Sequence, residues 1–352
     1  MKTKKLISCL LIRIVSVSIL VVSSTYLASC TNKSKVPKRE KVSFYLDWKT
    51  GSEHSFLYYG VRERFFSDEG IDLEIIPGTG SSASANMVDK KAVDFALCSG
   101  ESAIAARSAN PPRNILILAV FYPNTPTCIF ALEEKKINTP NDLYGKRLGI
   151  IKGSSSYRNY VAFAKKNGLD RTRINEVPTT GDVRELINKN STLDAMVQFV
   201  FQEPLQLKVA GYKISEIKLS DYGIKIYGQS LITNPDYLEL REDLVVRITR
   251  AVQKSYLETI LHPEEAFEAF IKEFPEQDNK YAREKLNYVI DFVKSGIPEN
   301  QPIGYQDANG WQSTISYLHD QGLLERDVRF DTVWTNRFLD KKFIISKGNA
   351  EK

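Results

Sequence analysis

An aspartate and a tryptophan follow the first predicted strand and could together bind a flat, hydrogen-bonding ligand. Asp47 and Trp48 come directly after the largely apolar run 41–46. An indole face stacks against planar rings, and a neighbouring carboxylate accepts hydrogen bonds from ring nitrogens or an amino group. Trp48 is equally consistent with a core side chain, because large aromatic residues usually lie in cores. The pair indicates a small-molecule site if the fold places it in a cleft.

Two turns rich in glycine and serine could supply further polar contacts. The candidate residues in them are Gly80, Ser81, Ser82, Ser154, Ser155 and Ser156. Glycine permits close backbone approach, serine caps helices, and a helix N-terminus attracts anions and polar groups. The first turn also fits the Gly-x-Gly-x-x-Ala form of the dinucleotide fingerprint, with Glu101 near the distance of a ribose-binding acid. We favour a general ligand loop, and a purely structural turn is the other alternative.

Three more polar residues stand beside predicted strand ends. Ser99 lies in the small-residue turn 98–101, and Gln198 and Glu203 flank the run that ends before Pro204. A glutamate is seldom buried without a partner. Glu203 therefore acts either as a favourable charge at a helix start or as a ligand contact.

Strands and helices alternate along most of the chain, which predicts an α/β fold. We predict strands at 41–46, 71–76, 92–97, 114–121, 128–132, 145–151 and 193–197, and helices at 53–66, 83–90, 157–168, 183–190, 202–211, 240–261, 263–274, 279–294 and 309–321. In open parallel sheets, ligands bind beyond the carboxyl ends of the strands. The candidate residues named above fall at those ends, so we expect them to converge.

Metal-dependent and hydrolytic sites find little support in the residues. The chain has three histidines and contains no His-Glu-x-x-His, Cys-x-x-Cys or Gly-x-Ser-x-Gly motif. We therefore predict no catalytic residues, no metal ligands and no cofactor.

The first 29 residues predict a bacterial lipoprotein signal peptide, followed by a lipidated tether over 30–40. A basic start precedes an apolar stretch, and Leu27-Ala-Ser-Cys30 matches the cleavage signature of these lipoproteins. A lipid on Cys30 would hold the protein at a bacterial cell membrane, facing the periplasm or the outside. A membrane-spanning anchor is the alternative, although Arg13 interrupts a run that is short for a span.

Removal of residues 1–29 lowers the formal net charge from +5 to +1. No polybasic run remains to indicate nucleic-acid binding. Two cysteines stay in the folded part, Cys98 and Cys128, and they either form a disulfide or lie as two buried thiols.

The order and spacing of several motifs resemble the type II substrate-binding proteins of ABC importers, in the branch named after the fungal thiamine-pyrimidine synthases. The matching pieces are Leu46-Asp-Trp48, Glu53-His54, Gly70-Ile-Asp-Leu73, Pro77-Gly-Thr-Gly80, Asp94-Phe-Ala96, Asp142-Leu-x-Gly-Lys146, Gly181, Gln202-Glu-Pro204, Trp311 and Gly322-Leu-Leu324. They cover residues 41–340. The resemblance implies two α/β lobes, each a mostly parallel sheet flanked by helices, that close on a ligand.

The resemblance also implies the domain boundaries and the site. Lobe 1 is expected at 41–134 and 225–352 and lobe 2 at 135–224, with hinge strands near 127–134 and 224–232. Asp47, Trp48 and Glu203 occupy the positions that hold an aminopyrimidine in the pyrimidine-binding members, and His54 and Tyr227 are added as ligand-facing residues. The stretch Lys49-Thr-Gly-Ser-Glu53 departs from those members and, with His54, is closer to riboflavin-importer binding proteins.

The expected function is that of a monomeric, lipid-anchored binding protein that passes a thiamine-precursor pyrimidine or a flavin-like ring to an ABC permease and ATPase. A small anion such as an alkyl sulfonate or nitrate, held by the serine turns, is the alternative ligand. A surface scaffold lipoprotein is another alternative. The fungal synthases carry a pyridoxal-phosphate lysine and a histidine where this chain has Cys98 and Ser102, so we expect no enzyme activity.

Overall fold

The computed structural model describes residues 39–188 and 190–345. The chain divides into the units 1–39 and 40–352, and both sheets belong to the second unit. The predicted signal peptide and Cys30 lie outside the described residues. Within the part that is described, no helix combines the length and the hydrophobicity needed to cross a bilayer.

Ten strands form two sheets of five in the described part of the chain. They are β1 (Glu40–Tyr45), β2 (Ile71–Ile76), β3 (Phe95–Ser99), β4 (Leu116–Val120), β5 (Thr127–Leu132), β6 (Arg147–Ile150), β7 (Asn175–Pro178), β8 (Ala195–Phe199), β9 (Ile214–Lys218) and β10 (Gln229–Thr233). The first sheet has the order β2-β1-β3-β10-β4, and the second has the order β7-β6-β8-β5-β9.

Both sheets are mixed. In the first, β1 pairs in parallel with β2 and β3, whereas β10 is antiparallel to β3 and β4. In the second, β6 pairs in parallel with β7 and β8, whereas β5 is antiparallel to β8 and β9. Each sheet with its helices forms one lobe, so the predicted two-lobe α/β fold is confirmed.

Helices flank both sheets. They are α1 (Ser55–Arg62), α2 (Phe65–Asp68), α3 (Ser81–Asp89), α4 (Gly100–Ser108), α5 (Ser155–Lys166), α6 (Arg184–Ile187), α7 (Glu203–Val209), α8 (Asp236–Leu240), α9 (Glu242–Leu261), α10 (Pro263–Glu273), α11 (Asn279–Lys294) and α12 (Ala308–Asp320). Helices α9 and α10 pack on α1 in the first lobe, as expected for a C-terminal segment that returns to it.

The core of the first lobe lies directly behind the cleft. The ring of Tyr256 is stacked between Phe56 and Phe121, with ring centroids 3.8 Å and 3.9 Å away. Strand β3, with the sequence Phe-Ala-Leu-Cys-Ser, is buried along its whole length. This packing restrains the strand ends that face the second lobe.

Several element predictions need correction. The sequence did not indicate β7 or β9, because both are partly exposed edge strands of the second sheet and their residues are largely polar. Strand β5 pairs with β8 and β9, so it belongs to the second sheet, whereas the predicted boundary at residue 134 assigned it to lobe 1. We therefore propose that the chain crosses between lobes just before Thr127.

The two cysteines of the folded part are free and buried. Cys98 lies on β3 of the first sheet and Cys128 on β5 of the second. Of the two alternatives left open by the sequence, the structure shows two buried thiols.

Candidate ligand-binding site

A cavity lies between the two lobes, at the strand ends where the sequence predicted a site. The space open to the centre of a water-sized group is about 40 Å³. The first lobe contributes Asp47, Trp48, Glu53, Gly80, Ser81, Tyr122 and Gln229, and the second contributes Ser154, Ser155, Ser156, Gln198, Phe199, Phe201 and Gln202. We call this space the main cavity. It brings together eight of the thirteen predicted ligand residues.

Asp47 is held in a fixed orientation by two neighbours. Its Oδ1 atom lies 3.0 Å from Nε2 of His54, and its Oδ2 atom accepts a hydrogen bond of 3.1 Å from Nε2 of Gln229. Tyr256 donates in turn to Oε1 of Gln229 at 2.5 Å. The His54 side chain is fully buried. His54 was predicted to face the ligand, but the structure places it behind Asp47, where it orients the carboxylate.

Trp48 lies beside the glycine turn that precedes α3. Gly80 has a φ of 131°, a conformation that favours glycine, and a Cβ atom there would be 3.7 Å from Cζ3 of Trp48. At Gly78, a side chain would collide with the carbonyl oxygen of Leu46. The turn can therefore approach β1 only because residue 78 is glycine, whereas at residue 80 the backbone conformation favours glycine.

The serines of the first turn have different roles. Helix α3 begins at Ser81 after an N-cap at Gly80, so Ser81 belongs to the helix and does not cap it. The Ser81 hydroxyl accepts a hydrogen bond of 3.0 Å from the Ser99 amide, and its own proton is free for the main cavity. Ser82 does not line this cavity. Its hydroxyl donates to the Gly153 carbonyl at 3.2 Å and accepts from Arg158 at 2.8 Å, which joins the two lobes.

The serines of the second turn begin α5. Ser154 is its N-cap and accepts a hydrogen bond of 3.2 Å from the Tyr157 amide. The hydroxyl oxygens of Ser154 and Ser156 lie 3.0 Å apart. The N-termini of α3 and α5 thus face the main cavity from opposite lobes, as the sequence predicted.

Glu53 carries the second carboxylate of the main cavity and is tied to both lobes. Its Oε2 lies 2.6 Å from Nζ of Lys285, and its Oε1 accepts a hydrogen bond of 2.8 Å from Nε2 of Gln202. Burial acts to raise the pKa of Glu53, but the Lys285 ammonium and His54 outweigh it, so the pKa is lowered. Glu53 is therefore a charged group near neutral pH.

Glu203 lines a second, wider cavity, in which the space open to the centre of a water-sized group is about 530 Å³. Trp48 and Glu53 line both cavities, and we call this one the outer cavity. Burial raises the pKa of Glu203 to about 7, and its Oε2 has no hydrogen-bond partner in the protein. Glu203 was expected beside a ring on Trp48; it lies outside the main cavity and lines the outer cavity together with Trp48.

Ser99 and Tyr227 also lie outside the main cavity. Ser99 lines a small adjoining pocket described below. Tyr227 packs edge-on against Trp311 with ring centroids 4.9 Å apart, and its hydroxyl accepts a hydrogen bond of 3.2 Å from the Asp307 amide. Because the ring and the hydroxyl of Tyr227 both make contacts within the first lobe, we do not assign this residue to the ligand.

Sequence reasoning missed several residues of the main cavity. Tyr122 follows β4 and Gln229 begins β10, and a polar group at the end of a buried strand is a signal that could have identified both. Gln202 was noted only as part of a motif. No local signal pairs Glu53 with Lys285, because the fold alone brings them together.

The charge of the main cavity restricts its ligand. Asp47 and Glu53 line it, and none of the described residues that do so is a lysine or an arginine. Trp48, Phe199 and Phe201 add aromatic surface. The cavity therefore suits a neutral or cationic ring with hydrogen-bond donors better than an anion.

The comparisons with known proteins agree with this architecture. Residues 51–266 match the family described as NMT1/THI5 like. The chain is similar to the formylaminopyrimidine-binding protein of Halalkalibacterium halodurans, with 27% identity over 336 residues that cover 93% of this chain and 97% of the relative. It is also similar to the riboflavin-binding protein RibY of Chloroflexus aurantiacus, with 21% identity over 309 residues, 86% of this chain and 87% of the relative.

Among solved structures, the fold resembles the periplasmic aliphatic sulphonate binding protein SsuA from Escherichia coli. The TM-score is 0.65 at 14% identity, and the match covers 85% of this chain and 99% of SsuA. At this identity, the likeness establishes the fold.

Proposed function

The chain belongs to the NMT1/THI5-like family, and from this premise we propose that it is a solute-binding protein that captures a small planar heterocycle between its lobes. The ligand is a thiamine-precursor pyrimidine or a flavin-like ring. A lipid on Cys30 anchors the protein at the bacterial cell membrane, facing the periplasm or the outside. As a monomer, it delivers the ligand to the permease and ATPase of an ABC importer. The nearly full-length similarity to a formylaminopyrimidine-binding protein supports this proposal.

The observation that carries the proposal is the fixed carboxylate of Asp47 next to the Trp48 indole. His54 and Gln229 orient Asp47, so the carboxylate is preorganised to accept hydrogen bonds from a ligand. Trp48 offers a ring face in the same cavity. A planar heterocycle with amino or ring N–H donors uses both features at once.

A small anion fits the same cavity less well. The N-termini of α3 and α5 and their serines favour negative charge. An anion between them also meets the carboxylate of Asp47, without a lysine or arginine in the described lining of the main cavity, whereas the charge of Glu53 is balanced by Lys285. Two like charges at close range in a partly desolvated site repel strongly, so we rank the anion second.

An enzyme of the synthase type is also disfavoured by this site. Pyridoxal phosphate needs a lysine amine to form its imine, and Cys98 stands at that position, so the residues do not fit the cofactor. The Cys98 thiol is fully buried and donates to the Ser81 carbonyl oxygen at 3.3 Å. Burial raises the pKa of Cys98 well above its usual range, which makes it a poor nucleophile.

Titration calorimetry on protein unfolded and refolded to remove bound molecules tests the proposal. The probes are 4-amino-5-hydroxymethyl-2-methylpyrimidine, riboflavin and ethanesulfonate. We expect one of the two heterocycles to bind at least about a hundredfold more tightly than ethanesulfonate. Binding of ethanesulfonate alone would establish the anion class instead, and no binding by any probe would favour a scaffold role.

A further inference from the structure

A small pocket adjoins the main cavity. The space open to the centre of a water-sized group is about 10 Å³, and the pocket shares Asp47, Tyr122, Ser155, Phe199 and Gln229 with the main cavity. We call it the inner pocket. Because the two spaces have these walls in common, they lie next to each other.

Three side chains of the inner pocket carry a buried polar atom without a hydrogen-bond partner in the protein. These atoms are Oε2 of Glu101, Oδ1 of Asn159 and the hydroxyl oxygen of Tyr122. The exposed fractions of the three residues are 0%, 1% and 2%. A buried polar group without a partner costs stability, so three of them around one pocket indicate a group that satisfies them together.

The partners already present show what that group must be. Oε1 of Glu101 accepts a hydrogen bond of 2.5 Å from Ser99, which leaves Oε2 available. Nδ2 of Asn159 donates to the hydroxyls of Thr125 and Thr127 at 2.7 Å and 3.0 Å, which leaves Oδ1 as an acceptor. With the tyrosine hydroxyl, which can also accept, the pocket offers three acceptors. The complementary group has up to three N–H donors.

We propose that the inner pocket binds a primary aliphatic amino group of the ligand, held by Glu101, Asn159 and Tyr122. This inference rests on the proposed function, because it concerns a substituent of the ring in the main cavity. Glu101 is on α4 of the first lobe and Asn159 is on α5 of the second. The amino group therefore bridges the lobes and favours the closed form.

The charges around the pocket agree with an amine. Asp47 lines it together with Glu101. Arg158 lies outside the lining and donates to Ser82, and its charge acts on Glu101 to lower the pKa of that carboxyl, although burial outweighs it. Burial raises the pKa of Glu101 to about 7, and a bound ammonium group favours the ionised carboxylate.

The test compares two probes by titration calorimetry at pH 8. One is 4-amino-5-aminomethyl-2-methylpyrimidine, and the other is 4-amino-2,5-dimethylpyrimidine, which has a methyl group in place of the aminomethyl group. We expect the wild-type protein to prefer the aminomethyl probe by about tenfold to a hundredfold. Glu101→Gln should bring the ratio of the two affinities close to one, and Tyr122→Phe should lower it by about threefold.

The control variant is Glu268→Gln, an exposed carboxylate on α10. It should keep the wild-type ratio. Tyr122→Phe removes only an unpartnered hydroxyl, so it provides a folded variant if Glu101→Gln fails to fold. Equal affinity of the wild-type protein for both probes would overturn the inference, leave the proposed function intact and point to a pocket filled by water.

A crystal soaked in methylammonium separates failure of this inference from failure of the proposed function. If neither the pyrimidines nor riboflavin bind but methylammonium contacts Glu101 and Asn159, the inner pocket stands and the ring assignment falls. If none of these rings binds and the soak shows methylammonium nowhere in the pocket, both proposals fall.

Discussion

The Nζ atom of Lys285 lies 2.6 Å from Oε2 of Glu53, and both side chains are almost wholly buried at the cleft. Gln202 of the second lobe donates to Glu53 and accepts a hydrogen bond of 2.8 Å from Lys285. The ion pair of the first lobe thus forms two hydrogen bonds with Gln202 of the second lobe. Tyr281, on the same helix as Lys285, donates to the Phe201 carbonyl oxygen at 3.2 Å and adds a second link.

Lys285→Met should destabilise the protein, because it leaves the Glu53 carboxylate buried without its counter-charge. We expect the free energy of unfolding in urea to fall by about 3 to 5 kcal/mol. Lys272→Met, at an exposed position, should change it by less than about 0.5 kcal/mol. The double variant Glu53→Gln with Lys285→Met should recover part of the loss. A single variant as stable as the wild type would show that the pair contributes nothing.

The stability of the ligand-free protein should depend on Glu101 between pH 4.5 and about 7. The ordinary pKa of this glutamate is 4.5, and burial raises it to about 7 in the folded protein. The folded state therefore binds the proton more tightly, so this contribution is fully present below pH 4.5 and is lost as the pH rises to about 7. The loss amounts to at most about 3 kcal/mol.

Glu101→Gln removes this titration. We expect the variant to gain stability relative to the wild type when both are moved from pH 4.5 to pH 8, as measured by urea unfolding at each pH. Glu268→Gln serves as the control and should follow the wild type. Because Glu203 titrates in the same range, only the difference between variant and wild type is informative. If the free energies of unfolding of the variant and the wild type differ by the same amount at both pH values, Glu101 has an ordinary pKa.

The sequence predicted those parts of the site that local patterns encode. Asp47, the serine turns and Gln198 were expected at strand ends, and the structure brings them to one cavity. The ion pair of Glu53 and Lys285 could not be predicted, because it depends on how the C-terminal helices return to the first lobe. Tyr227 was misplaced because a tyrosine near a hinge strand can face either the cleft or its own lobe.

The same distinction holds for the fold. Strand β2 and helix α11 have the predicted bounds, since each has a clear apolar pattern of its own. The strands β7 and β9 have no such pattern, because they are short and their sequences, Asn-Glu-Val-Pro and Ile-Ser-Glu-Ile-Lys, contain many polar residues.

Replacement of Cys30 tests the proposed lipid anchor. The acyl chain would be attached to this cysteine sulfur, so Cys30→Ser should give protein that is unprocessed or is released from the membrane. Cell fractionation with immunoblotting checks the outcome, and Cys9→Ser provides a control within the predicted signal peptide. A processed Cys30→Ser protein that stays in the membrane would refute the lipoprotein assignment.

Asp47→Asn should weaken binding of the heterocycle identified by calorimetry. In the wild-type protein, His54 and Gln229 donate to the two carboxylate oxygens of Asp47. The substitution removes the charge of this acceptor and places an amide N–H against one of these two donors. We expect a loss of about tenfold to a hundredfold in affinity. Asp72→Asn, at an exposed position of β2, is the matched control and should bind like the wild type. Unchanged affinity of Asp47→Asn would remove the aspartate from the site.

The most direct test of the central claim is the affinity of Trp48→Ala for the same heterocycle, measured by calorimetry next to Trp48→Phe. Stacking of a ring on an aromatic side chain contributes about 1 to 3 kcal/mol by alanine substitution. We therefore expect Trp48→Ala to bind about fivefold to a hundredfold more weakly than the wild type, while Trp48→Phe keeps most of the affinity. If Trp48→Ala binds as tightly as the wild type, while alanine at Ser81 and Ser155 abolishes binding, the ligand is not a ring stacked in this cleft.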